Sequence, residues 1–210
     1  NATRGYGAEV VLSGANFAEA LKAAQEFTKE TNSVFIAPFD NIDIITGQGT
    51  VAMEVMEQVP DVQTIVVAIG GGGLAAGVAV ATKLEAARQG RKIKVIGVQS
   101  EHAAAYPPSL KAGKLVEVHT TPTIADGIAV SKPGAVPFEL IMANIDKVVT
   151  VSENEIAKAL LMLLERAKQV VEPAGAVPVA ALLSGAIKPK GTTVAILSGG
   201  NIDPLLMQKV

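Results

Sequence analysis

The stretch Thr64-Ile-Val-Val-Ala-Ile-Gly-Gly-Gly-Gly-Leu74 decides the fold of this chain. Its first six residues form an apolar, β-branched run typical of a buried strand, and residues 74–89 have the pattern of a helix. Four glycines at this junction expose backbone N–H groups where the helix dipole favours negative charge, which predicts a phosphate site. The loop lacks the Lys-Ser/Thr pair of a Walker loop and matches a dinucleotide fingerprint poorly. A purely structural glycine turn is the alternative interpretation.

Composition limits the function classes. The chain has 210 residues, 49% of them hydrophobic, enough for one large α/β domain or one domain and a fragment of another. A net charge of −2, 3% aromatic residues and no Trp argue against partners that are nucleic acids or acidic membranes. The absence of Cys excludes disulfides, thiolate metal sites and a cysteine nucleophile. No apolar run reaches membrane-spanning length, so we expect a cytoplasmic protein.

Strand-like and helix-like segments alternate along the chain. The predicted strands are 8–12, 33–39, 64–69, 92–99, 115–118, 147–151 and 193–197. The predicted helices are 17–31, 47–58, 74–89, 138–143, 152–170 and 173–183. This alternation predicts an α/β fold with a largely parallel, twisted sheet and helices on both faces. Ligands of such sheets bind beyond the carboxyl ends of the strands, here the loops 70–73, 198–201 and the loop after 99.

Three helix starts carry cap signals. Asn16 with Glu19, and Ser152 with Glu155, have the spacing of capping boxes. The segment Gly47-Gln48-Gly49-Thr50 is predicted to start a helix, with Thr46 or Thr50 as its cap.

Several single residues allow two interpretations each. Glu172 precedes Pro173 and either stabilises a helix N-terminus or serves a site. Ser198 either caps a turn or, with glycines behind it, approaches a flat ring. Gly127, after an Asp, reads as part of a turn. We expect His102 and His119 to be exposed or satisfied in the core, and we see no cluster of metal ligands.

Six motifs in order identify a family resemblance. They are ATRGYGAEVVL, GQGT, GGGGL, IADGIAV, VVEPAGA and LSGGN, spread over the whole chain. The chain resembles the threonine ammonia-lyase and serine racemase branch of the fold-type II pyridoxal-phosphate enzymes. Relatives in the cysteine synthase branch usually carry a Thr inside the glycine loop and another serine motif, so four glycines with SGGN favour the ammonia-lyase side.

The resemblance implies pyridoxal 5'-phosphate as the cofactor and assigns residues to it. Backbone N–H groups of the glycine loop would hold the phosphate: Gly70, Gly71, Gly72, Gly73 and Leu74. Ser198 would hydrogen-bond the pyridine nitrogen, and this neutral hydroxyl would favour β-elimination over transamination. Glu172 would support the polar network near the ring. Backbone at Gly127 would pass close to the ring face, where a side chain would clash.

The family's lysine segment, S-x-K-x-R-G-A, and its S-G-N-H segment do not occur in this sequence. We therefore expect residues 1–40 to be the remnant of a smaller α/β domain and 41–210 to be the large domain. The chain would be a truncated enzyme, or one chain of a split protein, with no catalytic residue of its own. Where serine racemase-like members place two acidic cation ligands, this chain has Gln99 and Ala105, so we expect no metal site.

The implied parent reaction converts L-threonine to 2-oxobutanoate and ammonia, with L-serine as a second substrate. This chain alone is expected to be inactive. A serine racemase-like activity and a non-catalytic module that binds a phosphate ligand are the alternatives. Family habit and a large apolar helix surface predict a homo-oligomer, a dimer or a tetramer.

Overall fold

The computed structural model describes residues 1–15 and 17–207 and divides the chain into two compact units, Asn1–Ala37 and Pro38–Val210. The first unit holds helices α1 (Ala2–Gly5) and α2 (Phe17–Thr31). The predicted capping residue Asn16 lies outside the described residues.

The two strands predicted in and next to the first unit are not formed. Residues 8–12 and 33–37 lie outside regular secondary structure, and 38–40 form a bend. A strand is defined by its ladder of hydrogen bonds to a neighbour, and neither segment has such a ladder among the residues described. An apolar run alone therefore does not establish that a strand pairs with a neighbour.

The second unit contains a four-stranded parallel sheet, which confirms the predicted fold class. Its strands are β1 (Thr64–Ala68), β2 (Lys94–Ser100), β3 (Lys147–Val151) and β4 (Thr193–Ala195). The strand order is β3-β2-β1-β4, and every neighbouring pair is parallel. The strand predicted at 115–118 is absent from the described sheet, and β4 ends two residues earlier than predicted.

Helices cover both faces of this sheet. Side chains alternate between the two faces along each strand, and both sets are apolar here, so both faces are buried. On β1, Ile65 and Val67 pack with residues of α3 (Ile42–Gln58) and α4 (Gly73–Arg88). Val66 and Ala68 point to the other face and pack with residues of two later helices. All four side chains are at most 5% exposed, so β1 lies in the middle of the core and places its carboxyl end at a sheltered edge.

Helix α3 begins earlier than predicted. Asn41 is its N-cap, and its side-chain oxygen accepts hydrogen bonds from the N–H groups of residues 43 and 44. Thr46 and Thr50 lie inside the helix and donate to carbonyls one turn back, so neither is a cap. Gly77 lets α4 approach α3 closely, because a methyl group built on it would lie 2.7 Å from the backbone nitrogen of Gly49. The GQGT motif is thus a helix–helix contact and not a helix start.

The remaining helices are α5 (Tyr106–Ala112), α6 (Ala135–Asn144), α7 (Glu153–Met162), α8 (Pro173–Leu183) and α9 (Pro204–Met207). Of these, α8 has its predicted bounds, α6 and α7 are shifted, and α5 and α9 were not predicted. The capping box of Ser152 and Glu155 is confirmed, but α7 ends at Met162 and continues as a π-turn over Leu163–Ala167. Among the helices in the described part of the chain, none has the length and hydropathy to cross a membrane.

Candidate cofactor site

The glycine loop lies at the carboxyl end of the central strand β1. Gly72 is the N-cap of the 16-residue helix α4 and has a left-handed backbone, with φ 107° and ψ −6°. The first N–H groups of a helix have no acceptor within it, and the dipole concentrates partial positive charge there. Gly73 and Leu74 supply two such groups. The loop therefore has the local form of an anion cradle, as its sequence predicts.

Two hydrogen-bond donors hold the carbonyl group of one peptide in this loop. The Gly71 carbonyl accepts a hydrogen bond from the Tyr106 hydroxyl at 3.1 Å and another from Gly134 N at 3.0 Å. The C=O and N–H groups of a trans peptide point to opposite sides. Because the Gly71 carbonyl is bound on the Tyr106 side, the Gly72 N–H points away from Tyr106. Sequence reasoning did not identify Tyr106 or Gly134.

Tyr106 is itself fixed in place. It is fully buried, and its N–H donates to Gln99 Oε1 at 2.9 Å. The Gln99 amide donates in turn to the carbonyls of Ile69 at 3.2 Å and Ala103 at 3.3 Å. Burial, with a smaller contribution from the Asp40 carboxylate, raises the pKa of Tyr106. The hydroxyl therefore stays protonated and remains a hydrogen-bond donor.

The Asp40 carboxylate contributes in a second way. It accepts hydrogen bonds from the N–H groups of Ala135 at 2.9 Å and Val136 at 3.0 Å, the first residues of α6. This contact anchors the N-terminus of α6 next to Gly134, which holds the Gly71 carbonyl. The sequence does not reveal this acceptor role, since it depends on residues more than 90 positions away.

Neighbouring side chains explain why the loop consists of glycines. A methyl group built on Gly71 would overlap the ring of Phe39, and one on Gly72 would overlap the Tyr106 hydroxyl. A methyl group on Gly70 would lie 3.0 Å from the Cα of Ile128. The backbone is thus packed closely by its own chain on the protein side, which leaves main-chain N–H groups as the chemistry it offers to a ligand.

Glu172 binds the turn that follows β4. It is the N-cap residue of α8, yet its side chain makes no capping hydrogen bond. Its Oε2 instead accepts from Asn201 N at 3.2 Å, and its own N–H donates to the Gly199 carbonyl at 3.0 Å. A methyl group built on Gly199 would overlap the Glu172 carboxylate. The side chain therefore holds the segment after β4 and does not cap α8.

Gly127 joins these elements to the glycine loop. It lies in a 3₁₀ turn over Asp126–Ile128. A methyl group built on Gly127 would lie 3.4 Å from Glu172 Oε1. The next residue, Ile128, is the one that contacts Gly70. The structure therefore brings the glycine loop, Gly127, Glu172 and the 198–201 turn together in one region.

Ser198 lies in this region at the start of its turn. Its side chain is exposed, and within residues 1–15 and 17–207 its hydroxyl has no hydrogen-bond partner. A hydroxyl is both donor and acceptor and rotates to suit its partner. Ser198 is therefore available to a polar atom of a ligand.

Three other residues considered in the sequence make contacts within the protein: His102, Gln99 and Ala105. His102 Nδ1 is 2.5 Å from the Pro122 carbonyl and 4.0 Å from Glu153 Oε1. The fold therefore brings a carboxylate that is distant in the sequence close to this ring. Gln99 is engaged with backbone groups and Ala105 is buried. No group of three potential ligands among His, Cys, Asp and Glu is assembled in the described ranges.

The residues present fit pyridoxal 5'-phosphate. A phosphate needs several N–H donors and a favourable dipole, which the start of α4 supplies. A pyridine nitrogen needs one hydrogen-bond partner, which the unbound hydroxyl of Ser198 offers. A flat ring can approach backbone closely where the residue carries no side chain, and Gly127 is such a residue.

Comparisons with known proteins agree with this fit. A family model described as pyridoxal-phosphate dependent enzyme matches residues 1–199. The L-threonine ammonia-lyase of Geobacter sulfurreducens is 50% identical over 203 residues, covering 96% of this chain and 50% of that protein. The chain spans about half the length of the curated relatives it matches.

Solved structures show the same likeness. The processed form of threonine deaminase isoform 2 from Solanum lycopersicum superposes with a TM-score of 0.89 at 35% identity, over 99% of this chain and 60% of that one. Maize serine racemase gives 0.88 at 33% identity, over 98% and 63%. As the motifs and the cofactor prediction indicated, the chain belongs to the family of pyridoxal-phosphate-dependent enzymes, in its threonine ammonia-lyase and serine racemase branch.

Proposed function

We propose that this chain is the cofactor-holding portion of an ammonia-lyase that converts L-threonine to 2-oxobutanoate and ammonia, with L-serine as a second substrate. The observation that carries the proposal is the convergence of the glycine loop, Gly127, Glu172 and the Ser198 turn at one edge of the sheet. Relatives named as threonine ammonia-lyases support the choice of reaction.

The glycine loop binds and orients the cofactor through its phosphate. Backbone N–H groups from Gly70 to Leu74 donate to the phosphate oxygens, and the α4 dipole stabilises their charge. The two hydrogen bonds to the Gly71 carbonyl keep this part of the loop in its donating orientation. Since these donors are fixed before binding, little free energy is needed to order them.

The ring is held by the second half of the site. Ser198 hydrogen-bonds the pyridine nitrogen with a neutral hydroxyl, and Glu172 keeps the 198–201 turn in position through Asn201. Backbone at Gly127 leaves room for the ring face. When bound, the cofactor supplies an electron-accepting ring for chemistry at the substrate's α-carbon. A neutral partner at the ring nitrogen favours elimination over transamination.

The group that moves the α-proton is proposed to come from outside these 210 residues, because no S-x-K-x-R-G-A segment occurs in them. The chain alone would then bind the cofactor without turning substrate over. We further propose the assignment of 1–40 to a smaller domain and 41–210 to the large one, a homo-oligomeric assembly and a cytoplasmic location.

A test uses the full-length protein and this chain in parallel. The full-length protein should form 2-oxobutanoate from L-threonine, and a Ser198→Ala variant should lower kcat with little change in cofactor retention. The chain alone should retain the cofactor and form no product. Product formation by the chain alone would refute the proposal that its proton-transferring group lies elsewhere.

A serine racemase-like activity is the second candidate, because the likeness to maize serine racemase is almost as high as that to the threonine deaminase. Chiral analysis of the same reactions separates the two. Conversion of L-serine to D-serine faster than to keto acid would favour the racemase. Cofactor binding by a full-length protein that produces neither would favour a binding module.

A further inference from the structure

A cavity lies at the amino ends of the strands, opposite to the end of the sheet that carries the glycine loop. Its volume is about 510 Å³, and its lining includes residues that precede or begin the strands, such as Thr64, Lys94 and Asp146. Strand β1 has five residues, so the two ends are about 16 Å apart at ~3.3 Å per residue. This cavity is therefore separate from the candidate cofactor site.

Positive charge dominates the lining of this cavity. Six of the chain's 18 Lys and Arg residues line it, against one of its 20 acidic residues, Asp146. The six are Lys83, Arg91, Lys92, Lys94, Lys188 and Lys190. Because the whole chain carries a net charge of −2, this is a local segregation of charge and not a consequence of a basic composition.

Two of the six cations have structural partners. Lys83 Nζ donates to the Ile93 carbonyl at 2.8 Å and pairs with Asp146 at 2.5 Å. The Arg91 guanidinium donates to the Val62 carbonyl at 2.7 Å and to Gln89 at 3.0 Å. These contacts fix two positive groups at the cavity wall. They also use the one carboxylate in the lining, so it neutralises none of the remaining cations.

The other four cations come from two similar segments. Lys92-Ile93-Lys94 leads into β2 with Ile93 buried, so the two lysines flank a core residue on the same side of the backbone. Lys188-Pro189-Lys190 precedes β4. Across the described ranges, none of these four ammonium groups has an ion-pair or hydrogen-bond partner. Like charges gathered this way repel each other, and a bound anion relieves the repulsion.

We propose that this cavity is a binding site for a small, multiply charged anion of the phosphate class. Its volume is in the range of small-molecule sites, about 300–1,000 Å³. A concave site with a limited volume favours a small ligand over a nucleic acid strand. The proposal does not depend on the cofactor or on the reaction proposed above.

Inorganic pyrophosphate is the probe for a calorimetric titration of the full-length protein at constant ionic strength. We expect saturable binding that weakens about tenfold or more in the Lys188→Ala/Lys190→Ala variant and in the Lys92→Ala/Lys94→Ala variant. Lys111→Ala/Lys114→Ala, which removes two exposed lysines outside the cavity, serves as the matched control and should bind as the wild type does.

Two results would overturn the proposal. One is the absence of saturable binding once ionic strength is held constant, which would mean that the anion only screens charge. The other is equal affinity in all three variants, which would place the probe elsewhere, for example at the glycine loop. Since the altered lysines have no partners, thermal unfolding should be the same in every variant.

Discussion

The hydroxyl of Tyr106 is predicted to increase the affinity of the site for phosphate. Tyr106→Phe removes the donor that lies 3.1 Å from the Gly71 carbonyl and leaves the buried ring in place. Gly134 N still donates to that carbonyl at 3.0 Å, so no buried acceptor is left without a partner. The change therefore removes one neutral hydrogen bond and adds no desolvation penalty.

The magnitude follows from that single bond. A neutral hydrogen bond contributes about 1 kcal/mol net. If all of it serves to orient the loop, the dissociation constant for a phosphate ligand rises about fivefold, since ~1.4 kcal/mol corresponds to tenfold. Pyridoxal, which lacks the phosphate, should bind the variant and the wild type equally.

The assay measures the affinities of pyridoxal 5'-phosphate and pyridoxal for the full-length protein. Tyr6→Phe is the matched control, because Tyr6 is the chain's other tyrosine and is 90% exposed. The expected result is a fall in the phosphate-dependent part of the affinity in Tyr106→Phe alone. An equal loss for both ligands, or no loss beside a lower unfolding temperature, would refute the positioning role.

Three further predictions concern stability. Burial raises the pKa of Tyr106, so its neutral form stabilises the fold below about pH 10, and this contribution is lost as the pH rises further. Above that pH, the free energy of unfolding measured in urea should fall more steeply in the wild type than in Tyr106→Phe. Gly72→Ala should cost more than Gly90→Ala, because both have positive φ but only Gly72 lacks space for a methyl group; equal losses would contradict the packing described. Glu172→Ala should cost about 1–2 kcal/mol by losing the Asn201 contact, and Glu172→Gln should restore most of it, as measured by denaturant unfolding.

Local signals in the sequence predicted the centre of the fold. The run 64–69, the glycine loop and the following helix are contiguous, so their composition alone indicates strand, turn and helix. The capping box of Ser152 was predicted for the same reason, since its partners lie within three residues. The strands at 8–12 and 33–39 were predicted wrongly, because pairing depends on a neighbour that a local pattern does not contain.

Packing between distant segments explains what the sequence missed. The start of α3 was predicted too late because the segment 47–50 was interpreted as a helix start with a threonine cap, whereas Gly49 lies inside the helix against Gly77. The role of Tyr106 rests on contacts 35 residues along the chain. The family motifs named Gly127 and Glu172 as site residues, but only the fold brings these two segments into contact.

A crystal structure of the full-length protein grown with pyridoxal 5'-phosphate tests the central claim most directly. We expect the phosphate oxygens within about 2.7–3.2 Å of backbone nitrogens between Gly70 and Leu74, and the pyridine nitrogen beside the Ser198 hydroxyl. A phosphate bound at another place, or a ring nitrogen facing a different residue, would contradict the site described for this chain.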